Sequence, residues 1–124
     1  AEVKTDGVMD LTPLLEGVGG DRSVLAEMLQ IFLVDCEELW AQIRRAVSEG
    51  NGETLRSSAH TLKSMLGSVS ASAACSIALE LENMGRNGCL EEADQLLHSM
   101  DRELRKVKEE LSRRQKQCLP SGLA

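Results

Sequence analysis

The chain has 124 residues and a formal charge of −6, and 42% of it is hydrophobic, with one Phe, one Trp and no Tyr. That length is one domain's worth, too short for a nucleotide-binding domain beside a second core. An acidic balance, with no basic run interleaved with aromatics, argues against a nucleic-acid surface. No apolar run reaches the roughly 18 to 20 residues of a membrane span and no signal-type segment opens the chain, so the expected setting is cytoplasmic.

A core drawn from Leu, Ile, Val, Met and Ala favours packed helices, and Pro13 and Pro120 leave the long interior free of helix breakers. Residues 1–8 read as an N-terminal extension. Met9 to Val18 reads as a short helix, with Thr12 as its cap and Pro13 in the first turn, where a missing N–H does no harm. Gly19-Gly20 ends it. Asp21 then caps a long helix whose apolar residues Leu25, Met28, Leu29, Phe32, Cys36, Leu39, Ile43 and Val47 recur at helical spacing. Ile31, Val34 and Trp40 fall off that stripe, so a second side of this helix is expected to be covered or to face a partner.

Gly50-Asn51-Gly52 breaks the chain before a helix that carries Leu55, Ala59, Leu62, Leu66 and Val69 inward, and His60 belongs to it. Ser70 or Ser72 is expected to cap a further helix with Ala74, Ile77, Leu81 and Met84 inward, ended by Gly85 to Gly88. The last helix turns Leu90, Ala93, Leu97, Met100, Leu104, Val107 and Leu111 to the core, and its pattern stops near Ser112. The predicted fold is all-α: an antiparallel four-helix bundle over residues 9–112 with a short additional N-terminal helix, followed by a polar tail over 113–124 that should fray. Cys36, Cys75, Cys89 and Cys118 are widely spaced and form no Cys-x-x-Cys, so reduced packing cysteines and no metal site are expected.

At about 100° per residue, His60 lies roughly 150° from the centre of its helix's inward set and should stand in solvent. Its neighbours on that face are Glu53, Arg56, Ser57, Lys63, Ser64, Gly67 and Ser68, most of them small. Gly67 costs about 1 kcal/mol of helix propensity relative to Ala, so helix stability did not select it. One reading makes His60 an ordinary surface residue and Gly67 a tolerated defect. The other makes the small residues a cleared approach for a phosphoryl group, with Lys63 at i+3 offering charge to its oxygens. An imidazole in water is largely neutral at pH 7 and keeps one lone pair for attack. Phosphoryl transfer depends on in-line positioning and charge cancellation rather than on extensive covalent help. No P-loop, kinase glycine loop or Mg²⁺-holding acidic cluster is visible, so this chain is expected to carry no cofactor, the metal and the donor phosphate arriving with a partner. His98, beside Leu97 and among Asp94, Gln95, Asp101 and Arg102, has no such clearing and is assigned no role.

The run Ala59-His60-Thr61-Leu62-Lys63-Ser64-Met65-Leu66-Gly67-Ser68-Val69-Ser70-Ala71 resembles the signature of the histidine-containing phosphotransfer (HPt) family, approximately Ala-His-x-Leu-Lys-Gly followed by small residues. Gly19-Gly20-Asp21, Phe32-Leu33 and Leu79-Glu80-Leu81-Glu82 extend the likeness over most of Met9 to Leu111. The resemblance implies the four-helix bundle, His60 as phosphoacceptor, Lys63 as its electrostatic support, and Arg56, Ser57, Ser64, Gly67 and Ser68 as a docking face for response-regulator receiver domains. It implies a monomeric relay that takes a phosphoryl group from one receiver's aspartyl phosphate and gives it to another, with Mg²⁺ supplied by the receiver. Ala1 in place of a Met, together with the tail, leads us to expect the C-terminal module of a hybrid sensor kinase, tethered to the inner membrane through that parent. Ser64 stands where the family usually has Gly, and Ser68 and Ser70 replace the commoner Asn and Gly. A sensor-kinase dimerisation domain fits less well, because Thr61 rather than an acid follows His60 and no nearby proline does. The alternative from another class is an unphosphorylated helical adaptor that binds through Ile31, Val34 and Trp40.

Overall fold

The computed structural model describes residues 9–118. The extension expected over 1–8 and the end of the expected tail, 119–124, lie outside the described residues. Five helices follow one another: α1 (Thr12–Gly17), α2 (Arg22–Glu49), α3 (Gly52–Ser68), α4 (Ser72–Asn87) and α5 (Ala93–Cys118). The four long ones form an antiparallel bundle in cyclic order, α2 against α3 and α5, and α4 against α3 and α5. Short turns enforce the antiparallel sense. Gly50 closes α2 at φ 69, a left-handed conformation that glycine adopts without the Cβ penalty. Asn51 then caps α3 by accepting from Thr54 N–H at 3.1 Å. No helix of the described residues is long and apolar enough to cross a membrane.

The core is aliphatic, as the composition requires: Leu29, Ile43, Leu55, Leu62, Leu66, Leu81, Met100, Leu104 and Leu111 are fully buried. Burying each such side chain stabilises the fold by about 1.5–3 kcal/mol. On α3 the predicted inward set, Leu55, Ala59, Leu62, Leu66 and Val69, is buried without exception. On α2 the phase differs. Leu25, Leu29, Phe32, Cys36, Trp40, Ile43 and Ala46 are buried, Met28 is exposed, and Leu39 and Val47 are half-buried. Apolar side chains at both 39 and 40 let the sequence pattern run through either. Packing decides for Trp40, whose ring is covered by the Arg44 guanidinium at 5.5 Å from its centroid. Of the surface expected at Ile31, Val34 and Trp40, only Ile31 and Val34 remain exposed, joined by Val24 and Met28.

Helix ends depart from expectation in four places. Thr12 is not a cap but lies inside α1, and its N–H is taken by Asp10 Oδ1 at 3.0 Å. Asp21 caps α2 as predicted, accepting from Val24 N–H at 3.2 Å. Neither Ser70 nor Ser72 caps α4: Ala71 occupies that position without a side-chain bond, while Ser70 makes the turn at φ 61. A non-glycine residue there carries a cost of order 1 kcal/mol that glycine would avoid. Gly85 does not end α4, which runs on to Asn87 and closes at Gly88 with φ 74. Gly85 is instead a buried crossing point, since a Cβ on it would lie 2.5 Å from Arg56 N and 2.6 Å from Gly52 O. Finally, α5 does not fray at Ser112 but continues to Cys118. Polar contacts replace the vanished apolar stripe: Arg114 donates to Met9 O at 3.2 Å, and Gln115 donates to Ala26 O at 3.2 Å and to Gln30 Oε1 at 2.9 Å.

Candidate functional site

The buried set of α3 points one side of the helix inward and so turns His60 outward; its side chain is 57% exposed. Ser57, Ser64, Gly67 and Ser68 sit at i−3, i+4, i+7 and i+8 from it, all on the exposed side of the helix. The hydroxyls of this stripe are partly occupied by the helix itself, Ser68 Oγ donating to Met65 O at 2.6 Å. Gly67 has no packing reason to be glycine. A Cβ there would meet only Cys75 Sγ, at an ordinary 3.9 Å. The chain is therefore short-sided over about three turns around the imidazole, and space in front of the ring is what these residue types provide.

Behind the ring lies a residue to which sequence reasoning gave no role. Glu82 of α4 is buried, with a side chain 4% exposed, and its Oε2 lies 3.0 Å from His60 Nδ1. Its Oε1 lies 2.8 Å from Lys63 Nζ, an ion pair rather than a well-directed hydrogen bond, since Oε1 has no partner in hydrogen-bond geometry. Arg86, one turn along α4, donates to Oε2 at 3.2 Å and to Asn83 Oδ1 at 2.9 Å. One carboxylate thus gathers His60 and Lys63 from α3 and Arg86 from α4. Lys63 holds the Glu82 carboxyl below the usual glutamate range; burial pushes the other way, and the His60 hydrogen bond adds to the lowering. An ionised carboxylate only accepts, so Nδ1 is the donor and Nε2 keeps the lone pair.

Of the residues singled out from sequence, His60 and Lys63 are brought together, through Glu82. Arg56 is not part of that cluster; it is half-buried beside the Gly85 crossing and pairs with Glu53 at 3.7 Å. His98, the control, is an exposed residue of α5. Glu82 could have been found by register. Ala74, Ala78, Leu81, Glu82 and Gly85 share the buried face of α4, and an acid on such a face requires cations opposite it.

A family model described as "Hpt domain" matches residues 27–115. Among solved structures, the chain is similar to the crystal structure of histidine-containing phosphotransfer protein B (HptB) from Pseudomonas aeruginosa PAO1, with 28% identity and a TM-score of 0.77, over 86% of this chain and 90% of that one. No curated protein matches.

Proposed function

The chain belongs to the Hpt domain family, a family of phosphohistidine carriers in two-component signalling, and from that premise we propose that His60 is the phosphoacceptor of a relay between receiver domains. An aspartyl phosphate on one response-regulator receiver is the donor, and an aspartate of another is the acceptor. The supporting observation is the ring itself: anchored at Nδ1 by a buried carboxylate, half exposed, and standing on a stripe of serines and glycine. Nε2 attacks phosphorus, the Nε2–P bond forms, and the aspartate leaves with the electron pair of the broken P–O bond. Lys63 offers charge to the transferring oxygens, while Arg56, Ser57, Ser64, Gly67 and Ser68 form the face on which a receiver seats. Mg²⁺ comes with the receiver, and the setting is the cytoplasm. A transition state of this loose kind asks for alignment and charge rather than for a strong base, which suits a site with no free general base beside the ring.

Mixing the protein with a panel of phosphorylated receivers and following acid-labile label tests this directly. Label is expected on the wild type and absent from His60→Ala; label that survives the substitution sinks the assignment. Lys63→Ala should slow transfer about tenfold, equivalent to ~1.4 kcal/mol of transition-state stabilisation, with helical circular dichroism unchanged. An adaptor role through α2 retains Ile31 and Val34 but not the buried Trp40, and the same label transfer separates the two readings.

A further inference from the structure

Resting on the phosphoacceptor reading above, we propose that Gly85, with Gly52 facing it, is a positioning residue for the transfer: the two missing side chains let α4 approach α3 closely enough to hold the site's two halves in register. Gly85 is a buried residue inside α4, before the helix ends at Asn87 and closes at Gly88. Glycine there serves neither as a cap nor as a good helix former. Backbone proximity accounts for it. A Cβ on Gly85 would lie 2.5 Å from Arg56 N, 2.6 Å from Gly52 O and 2.9 Å from Arg56 Cα, and a Cβ on Gly52 would lie 2.8 Å from Gly85 O. Every one of those atoms is backbone, so no flexible side chain is there to yield.

This crossing stands one turn from the site on both helices. Arg56 precedes His60 by four residues on α3, and Gly85 follows Glu82 by three on α4 and adjoins Arg86. Across the gap, Glu82 Oε2 sits 3.0 Å from His60 Nδ1 and Oε1 sits 2.8 Å from Lys63 Nζ. To carry an added Cβ on Gly85 out to an ordinary contact of 3.4 Å, the two backbones must part by about 1 Å. A helix is stiff over one turn, and Glu82 is buried with little room to follow, so most of that displacement reaches its carboxylate. An acceptor drawn back that far from 3.0 Å is out of hydrogen-bond reach. The imidazole is then free to turn about its side-chain bonds, and the Nε2 lone pair loses its aim at phosphorus. Misplacement by about 1 Å at a reacting group costs up to about a hundredfold in rate. Because Gly85 is itself buried, a docked receiver does not touch it, and it acts through helix spacing alone.

The test compares phosphoryl transfer from one phosphorylated receiver to the wild type, Gly85→Ala, Glu82→Ala and the double variant, each well below its thermal midpoint. Gly85→Ala and Glu82→Ala should each slow transfer by about ten- to a hundredfold at saturating receiver. The receiver concentration giving half the maximal rate should stay within about twofold, because the docking face is untouched. The double variant should be no slower than Glu82→Ala alone, since a carboxylate that has been removed cannot be displaced. Leu104→Ala, a cavity variant in the buried part of α5, is the control: it lowers the urea midpoint without driving α4 from α3 and should transfer at the wild-type rate. Wild-type rates in folded Gly85→Ala or in Glu82→Ala overturn the proposal. So do losses that multiply in the double variant, or a Leu104→Ala slowed as much as Gly85→Ala, which would tie the rate to stability and not to spacing. Should Gly85→Ala fail to fold, Gly52→Ala decides, since its Cβ meets only one backbone atom closer than 3.0 Å. It should slow transfer several-fold, and not at all in the Glu82→Ala background; the wild-type rate in folded Gly52→Ala contradicts the proposal. A wild type that takes no label refutes the phosphoacceptor reading itself, whereas a labelled wild type with transfer indifferent to the crossing refutes only this inference.

Discussion

At the scale of single residues, what a side chain does here is set by which neighbour compensates it. His60 was legible because its helix shows an unambiguous inward set, and angular distance from that set places it in solvent. Glu82 was not, because its meaning comes from α3: an acid in an apolar face is a defect until Lys63 and His60 are known to meet it. The cysteines show the same dependence. Burial pushes the Cys36 thiol up to about 11, whereas Cys89 is exposed. Thiolate is the reactive form, so at pH 8 a maleimide should label Cys89 rapidly and leave Cys36 unmodified until the bundle is unfolded in denaturant. Labelling of Cys36 in the native protein, read by peptide mass spectrometry, would contradict the packing of α2.

At the scale of elements, two glycines on adjoining helices have opposite roles. Gly85 lets α4 approach α3 so closely that a Cβ would run into backbone at Arg56 and Gly52. Gly85→Ala should therefore cost about 1–3 kcal/mol or more in urea unfolding, because rigid backbone rather than a flexible side chain must move. Gly67 faces only Cys75 Sγ, at 3.9 Å, so Gly67→Ala should stabilise α3 by up to about 1 kcal/mol through helix propensity. A destabilised Gly67→Ala would mean that this glycine is structural and not part of an approach to His60. From sequence alone Gly85 read as part of a terminator, whereas Gly67 already read as an interior glycine that helix stability does not explain. Helix phase on α2 was misread for a related reason: Trp40, placed off the stripe, satisfies the spacing as well as Leu39 does, and it is Trp40 that is buried while Leu39 is half-buried.

At the scale of the molecule, the bundle depends on carboxylates that fold into ion pairs. Glu82, lowered chiefly by Lys63, and Glu110, lowered chiefly by Arg113 and then by Arg114, both lie below the ordinary glutamate value of 4.5. A group depressed in the folded state stabilises it fully above the unfolded value, and that contribution is lost as pH falls through the folded value. Thermal midpoints should therefore hold at neutral pH and decline once pH drops below about 4.5. In Glu82→Gln the acid limb should be shallower, since one fewer proton is taken up on unfolding. Superimposable acid limbs in the two proteins would show that the Glu82 cluster contributes no pH-dependent stability.

The amino-acid sequence by itself determined that the chain is helical, how many long helices it has, and that His60 stands on an outward face beside small residues. Those properties follow from periodicity along one helix at a time, which is a local matter. Only the tertiary structure decided which of Leu39 and Trp40 is buried, why Gly85 must lack a side chain, how far α5 persists beyond its apolar stripe, and that a buried carboxylate stands behind the imidazole. Each of these is a relation between two helices, fixed by how closely their backbones approach and by which charges then have no water to turn to.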